Sequence, residues 1–395
     1  MTEMAANRRL EVVDVLRGFA LSGLFLVHMI ESYELYWNKP DHGPIGDTVY
    51  LLFMGKSFSL LALCFGFSFY ILMERAARRG VDFTARFAWR LTVLFAIGFL
   101  HALIYRGDII QLLSAMGFLL LLFHRIKSNR VLIAIAIAFI AQPVLILEVF
   151  AAASGSEWAN HSPLHYQDPA MRYYLFGDIG EVLRANLWEG QWPKWWFMVE
   201  AGRMMQIMGL YITGMVLGRI GFFERLGDFA RGRAIGLAVA LVAAGVLWWW
   251  REDVVLWYDK FGNGEASTRQ LRYLLGSWFE LAGMSSWALI LCAVYQSAAR
   301  GILRPFVPMG RLTLTLYIAQ SIVFVPVFYH FGLGLWDDWS QATRLGVGLA
   351  AVAGQMGFAA LWLRAFQYGP IEWAWRALTY WSWDVPFRRP AAAAQ

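Results

Sequence analysis

Residues 12–30 read VVDVLRGFALSGLFLVHMI, an apolar run of the length that crosses a bilayer, about 20 residues, but broken by Asp14, Arg17 and His28. Runs of the same kind recur near 48–73, 88–105, 109–124, 131–152, 197–218, 234–250, 273–295, 312–331 and 345–366. The composition agrees: 59% of the 395 residues are hydrophobic and 16% charged, where an ordinary soluble domain has roughly 25% charged residues. The expected fold is therefore all-α, a polytopic membrane bundle of about ten transmembrane helices.

The charged residues lie between the apolar runs and alternate in sign. Arg8/Arg9, Arg75/Arg78/Arg79/Arg86, Arg125/Lys127/Arg130, Arg219/Arg225/Arg231/Arg233, Arg300/Arg304 and Arg388/Arg389 fall on one side. The positive-inside rule makes that side cytoplasmic, so both termini are expected inside. The net charge of +6 thus follows from topology and does not point to nucleic acid. No cleavable leader is expected, because Asp14 and Arg17 interrupt the first run and no small-residue cleavage site follows it. Cys64 and Cys292 both lie in apolar segments, which excludes a disulfide framework or a cysteine metal site.

The chain reads as a single transmembrane domain, 1–395. Residues 1–152 form its first five helices and 197–366 its last five. Between them, 153–196 is an outer loop of short amphipathic or re-entrant pieces, a candidate lid, with Trp158, Trp188, Trp192, Trp195 and Trp196 suited to headgroup level. After the Gly369-Pro370 break, 367–395 is expected to hold a helix lying in the cytoplasmic interface, a membrane anchor without chemistry.

Ionisable groups inside spans are costly and are functional candidates, weighed against snorkelling and interhelical pairing. Arg17 and His28 have ten residues between them; eleven steps turn about 1100°, close to three full circles, so both share one face, separated by roughly 16 Å. Arg17 either snorkels or meets an anion. His28 either packs as a bonded core histidine or serves as a general base near neutral pH. His42, in a loop stiffened by Pro40, Gly43 and Pro44, is the second candidate base, against the plainer reading of a solvated loop histidine.

Lys56 lies too deep in the second run to snorkel and needs an anion or carbonyl cage. His101 and Arg106 add polar groups to a cavity, and Asp108 is suited to capping the fourth helix. Glu200 and Arg203 are three apart and expected to pair, as glue or as a cavity wall. Gln320 and Gln355 fit an interhelical hydrogen bond. His161 and His165 have a proline between them, and no metal is assigned. Phosphate-loop, HExxH and GxSxG motifs do not occur.

The segments Asp14-Val15-Leu16-Arg17-Gly18-Phe19-Ala20, Arg106-Gly107-Asp108-Ile109, Met309 to Ser321 and Gly369-Pro370-Ile371-Glu372-Trp373 resemble the YeiB-like family of bacterial membrane proteins. That family looks related to the transmembrane acyltransferases, the surface-sugar O-acyltransferases and the heparan-glucosaminide N-acetyltransferases. The O-acyltransferases are similar in placing an arginine, ten residues and a histidine on the first helix, which Arg17 and His28 reproduce; many YeiB-like members have asparagine at the second position. In the heparan enzymes the catalytic histidine lies in the first outer loop, where His42 is a loose match.

The resemblance implies an acyltransferase of the bacterial inner membrane. It would move an acyl group, in the first place acetyl, from cytoplasmic acyl-CoA to a hydroxyl or amine of a sugar or small metabolite outside. Arg17, with Lys56 and Arg203, would meet the donor, and His28 or His42 would be the base. Two rivals stand beside it: a transporter of a small anionic or amphiphilic metabolite, lined by Lys56, His101 and Arg203, and a non-catalytic scaffold. The sequence leaves the oligomeric state open.

Overall fold

The computed structural model describes residues 10–389; Arg8 and Arg9 lie outside the described residues. These residues are helical throughout, with no β-strand beyond one isolated bridge between Phe366 and Arg388. Each of the ten apolar runs contains a helix. Six segments are long and apolar enough to cross a membrane: Glu11–Asn38, Pro44–Ala77, Asn129–Ala153, Ala230–Asp259, Glu265–Gln296 and Gln341–Ala365. Ile110–His124 and Thr313–Phe328 are apolar but shorter.

Helix α1 (Glu11–Ile30) is the hub. The first half continues with α2 (Pro44–Phe53), α3 (Lys56–Ala77), α4 (Thr84–Ala102), α5 (Ile110–His124), α6 (Asn129–Ile140) and α7 (Pro143–Ala153). After α8 (Met171–Phe176), α9 (Ile179–Ala185) and α10 (Gln191–Glu200), the second half runs through α11 (Arg203–Arg219), α12 (Ala230–Asp259), α13 (Glu265–Gln296), α14 (Phe306–Arg311), α15 (Thr313–Phe328), α16 (Gln341–Ala365) and α17 (Pro370–Tyr380). Helix α1 touches α2, α3, α13, α14, α15 and α16, which explains why it tolerates polar residues: its neighbours are protein, not lipid.

Helix α12 is the opposite case. Val239, Val242, Val246, Trp249 and Trp257 stand exposed around it. A 30-residue helix with apolar side chains on its outside suits lipid and would aggregate in water. The chain is a multi-pass membrane protein.

Two close backbone approaches fix the hub. A Cβ on Gly18 would overlap the Phe306 carbonyl, and one on Gly310 the Asp14 carbonyl, so α1 and α14 pack backbone to backbone. Gly66 and Gly214 do the same for α3 and α11. Small residues at such crossings allow dispersion contacts that hydrophobic burial cannot supply inside lipid.

The second and fifth runs are not continuous helices. Gly55, at φ +70°, separates α2 from α3, and Gln142, at φ +60° before Pro143, separates α6 from α7. The sixth run starts late: Gly202, at φ +66°, ends α10 and restarts the chain as α11 at Arg203. That break removes the helical spacing on which the expected Glu200–Arg203 pair depended.

A candidate active site between an arginine-lined cavity and a buried polar chamber

At the end of α1 the chain makes a left-handed turn. Ser32, Tyr33 and Glu34 have φ of 48°, 53° and 78°, a conformation that costs L-residues energy and persists where surrounding structure holds it. The turn folds Tyr33 back beside His28 and turns Glu34 toward Arg106. The His28 ring lies 5.5 Å from that of Tyr33 and 5.2 Å, edge-on, from that of Tyr105. His28 Nδ1 is 3.0 Å from the Tyr105 hydroxyl and 3.9 Å from Glu31 Oε2. Its Nε2 is buried without a partner among the described residues.

A second imidazole is held more firmly. His101, on the last turn of α4, has Nδ1 2.7 Å from Asp108 Oδ1, with both side chains almost wholly buried. The other Asp108 oxygen accepts the Gln111 N–H at 2.8 Å, so Asp108 does cap α5. A carboxylate on Nδ1–H leaves Nε2 as the basic nitrogen, and His101 Nε2 is buried and unpartnered among the described residues.

The segment 153–196 folds over this chamber. Asp168 and Glu34 bracket Arg106, each at 2.5 Å, and the guanidinium lies over the Tyr174 ring. From α10, Lys194 reaches down to the Gln111 side-chain oxygen. Burial pushes the Lys194 ammonium down to about 8, partly offset by Asp108 and Glu34 nearby.

From the arginine-rich end a cavity of about 840 Å³ runs into the bundle. Arg17, Arg75, Arg78, Arg219, Arg225 and Arg376 line it near the helix ends, Leu21, Leu61, Phe65, Leu94 and Leu113 farther in, and Ile109, Ile110 and Tyr317 at depth. Arginines outnumber carboxylates in its lining, and one of the carboxylates, Glu74, is tied to Arg78. Tyr317 joins the two compartments. Its hydroxyl accepts the Ile109 N–H at 3.1 Å, and its ring stands 5.1 Å from the His101 ring.

Of the residues singled out in the sequence, Arg17 lines the cavity, held by the Ser68 hydroxyl and by Asp14. His28, His101, Arg106 and Asp108 gather in the chamber, on the other side of Tyr317. His42 is exposed on the first loop, beside Tyr36. Lys56 and Arg203 sit apart from both compartments: Lys56 Nζ bonds the Met54 carbonyl at 3.3 Å and faces the Phe279 ring, while Arg203 pairs with Glu280. Glu200 instead takes His165 Nδ1 and the Leu164 N–H, fastening the outer segment. Gln320 bonds Gln355 at 2.8 Å. No group of three or more metal-binding side chains occurs among the described residues.

Tyr317, Tyr105, Glu34, Gln111 and Lys194 are not among the site residues expected from the sequence. Lys194 had the strongest available signal, a lone lysine among the tryptophans of a supposed headgroup segment.

Comparison with known proteins divides the chain in two. Residues 9–175, which include α1 and the His101–Asp108 pair, match the family described as heparan-alpha-glucosaminide N-acetyltransferase, catalytic. Residues 217–382 match a family described as a protein of unknown function, DUF418. Over 96% of both chains the sequence is 27% identical to YxaH of Bacillus subtilis. It is 24% identical, again over 96% of both, to a 39.9 kDa protein from the amylase 3' region of Bacillus acidopullulyticus. With YeiB of Escherichia coli the identity is 25%, over 93% of this chain and 95% of that one. All three relatives are described as uncharacterized.

Proposed function

We propose that this chain, similar along nearly its whole length to YxaH and YeiB and over residues 9–175 to the heparan-alpha-glucosaminide N-acetyltransferase catalytic family, is a transmembrane acyltransferase using acyl-CoA. The acyl group, in the first place acetyl, passes from a cytoplasmic donor to a hydroxyl or amine of a sugar or small metabolite on the outer side. In this reading the arginine-rich end faces the cytoplasm, ten helices cross the bacterial inner membrane as one domain, and both termini lie inside.

One observation carries the proposal: a cavity with a cationic mouth and apolar walls ends at Tyr317 and Ile109, which adjoin the His101–Asp108 pair. A CoA-type donor matches that sequence of environments, with phosphates at the arginines, the pantetheine arm along the apolar wall and the thioester at Tyr317. Arg17 is the donor contact retained from the sequence. Lys56 and Arg203, engaged with Phe279 and Glu280, brace the bundle.

The chemistry follows from the atoms present. His101 Nε2, left unprotonated by the Nδ1–Asp108 contact, takes the proton of the acceptor hydroxyl or amine as the acceptor attacks the thioester carbonyl. Tyr317 accepts a backbone N–H, so its own O–H is free to donate to the oxyanion that develops. The thioester C–S bond then breaks, and the imidazolium returns its proton to the leaving thiolate. His28, on the outer side of Tyr105, receives and orients the acceptor, with Arg106 and Lys194 setting the chamber's charge.

The experiment uses purified protein in detergent with labelled acetyl-CoA and follows label transfer and slow hydrolysis. His101→Ala should abolish both, and His28→Ala should lower transfer more than hydrolysis. Undiminished turnover in both variants would remove His101 and His28 from the mechanism, whereas uptake of a metabolite into proteoliposomes without any acyl donor would support the transporter reading.

A further inference from the structure

Helix α17 is more than a surface anchor. The tryptophans just past its end, Trp381 and Trp383, are exposed in the manner of a headgroup anchor, but the inner face of the helix is built into the bundle. Glu372 accepts the backbone N–H groups of Leu314 and Thr315 at 2.8 and 3.0 Å, together with the Thr315 hydroxyl, which ties α17 to the first turn of α15. The chain beyond then returns and pairs with the segment before α17: the Gln367 N–H donates to the Phe387 carbonyl and the Arg389 N–H to that of Ala365, each at 2.9 Å. Such bracing fixes side chains in place, whereas a floating amphipathic helix needs none of it.

What it fixes is one wall of the cavity. Tyr368, Trp375 and Arg376 line it together with Arg90 of α4. The Trp375 indole N–H donates to the Arg90 carbonyl at 2.9 Å, the Arg90 guanidinium lies 3.5 Å over the Trp375 ring, and that of Arg376 lies 4.6 Å over Tyr368. Neither guanidinium has a carboxylate partner among the described residues, and both line the same cavity. Glu372, the nearby carboxylate, is occupied by α15. Two planar cations stacked on aromatic rings, with their N–H edges uncommitted, form a receptor for phosphate oxygens beside flat aromatic surfaces.

We propose that α17 and Arg90 form the nucleotide-recognition wall of the donor site. Arg90 and Arg376 grip phosphate oxygens of a CoA-type donor, and the aromatic wall of Trp375 and Tyr368 packs its purine. This rests on the acyl-CoA reading above and adds to it a residue-level subsite, contributed by the far end of the chain. The phosphate chemistry has a second natural source, the headgroup of an anionic lipid, and the test separates the two.

Binding is measured by calorimetry on the full chain in zwitterionic nanodiscs, with three probes: CoA, ADP, and pantetheine, which lacks the nucleotide. Wild-type protein should bind CoA, and ADP should compete for it. Arg376→Ala and Arg90→Ala should each weaken CoA binding about tenfold or more, as expected for loss of a charge-assisted contact, and leave pantetheine unaffected. Arg376→Lys, which keeps the charge but not the planar fork, should recover only part of the loss. A melting temperature matching wild type identifies a folded variant. Folded variants that bind CoA as wild type does would overturn the α17 subsite and leave the donor reading intact, whereas wild-type protein that binds no CoA would overturn both. Loss of CoA binding in nanodiscs containing phosphatidylglycerol would assign the wall to a lipid headgroup and overturn the proposal.

Discussion

His101 and Asp108 meet through a 2.7 Å contact between Nδ1 and Oδ1, seven residues apart across the α4–α5 turn, with both side chains buried. The same carboxylate caps α5 through the Gln111 N–H, so the helix start that positions Asp108 also orients the imidazole. Replacing Asp108 with Asn keeps a capping oxygen but removes the carboxylate that holds the proton on Nδ1 and leaves Nε2 to accept one. Asp108→Asn should lower kcat by about 10²- to 10⁴-fold, the range for loss of general-base catalysis, with little change in melting temperature. Steady-state kinetics beside a thermal melt checks this; unchanged kcat excludes His101 as the base.

Tyr317 contributes a hydroxyl at the depth of the cavity. Tyr317→Phe keeps the ring and its contact with His101 but removes the donor. The expected outcome is a fall in kcat of about 10²- to 10³-fold with KM nearly constant, because the oxyanion forms only in the transition state. A rise in KM alone would make Tyr317 a packing residue of the donor channel.

Lys194 titrates at about 8 because burial disfavours its charge. Its charged form is lost as pH rises through that value, so an activity that needs the ammonium beside Asp108 should fall above about pH 8. Lys194→Met should remove that alkaline limb. The stability effect has the opposite sign: a lysine whose pKa is lowered on folding is protonated in the unfolded chain at a higher pH than in the native one, so it opposes folding at neutral pH. Lys194→Met should therefore melt no lower than wild type at pH 7, even though it is impaired in turnover.

Gly310 faces the Asp14 carbonyl with no room for a methyl group. Gly310→Ala should force α14 away from α1 and lower stability by about 1–3 kcal/mol, the usual effect of overpacking. Gly301, with open space around it, is the control: Gly301→Ala should leave the melt unchanged. Thermal unfolding in detergent distinguishes them.

The helical membrane architecture was legible because it follows from apolar run length alone, and α12 shows why: lipid on its outside demands apolar side chains whatever the neighbouring helices do. The polar chamber was half legible. Helical periodicity related Arg17 to His28 within one helix, but the partners of His28 come from a left-handed turn and from the turn after α4, which no local period encodes. The Glu200–Arg203 pairing failed for a local reason, the positive φ of Gly202, which interrupts the helix between them. Arg17 and His28 share a face of α1, yet Arg17 lines the cavity and His28 belongs to the chamber, because Tyr317, distant in sequence, stands between the compartments. The role of α17 was hidden likewise: its amphipathic pattern describes the face toward the membrane and says nothing of Glu372 reaching α15.

The most direct measurement is an experimental structure of the protein with CoA bound. The account predicts the nucleotide phosphates among the arginines of the cavity mouth and the thiol sulfur within hydrogen-bond reach of the Tyr317 hydroxyl. CoA lodged anywhere else, or this cavity filled by ordered lipid while CoA is bound elsewhere, would contradict it.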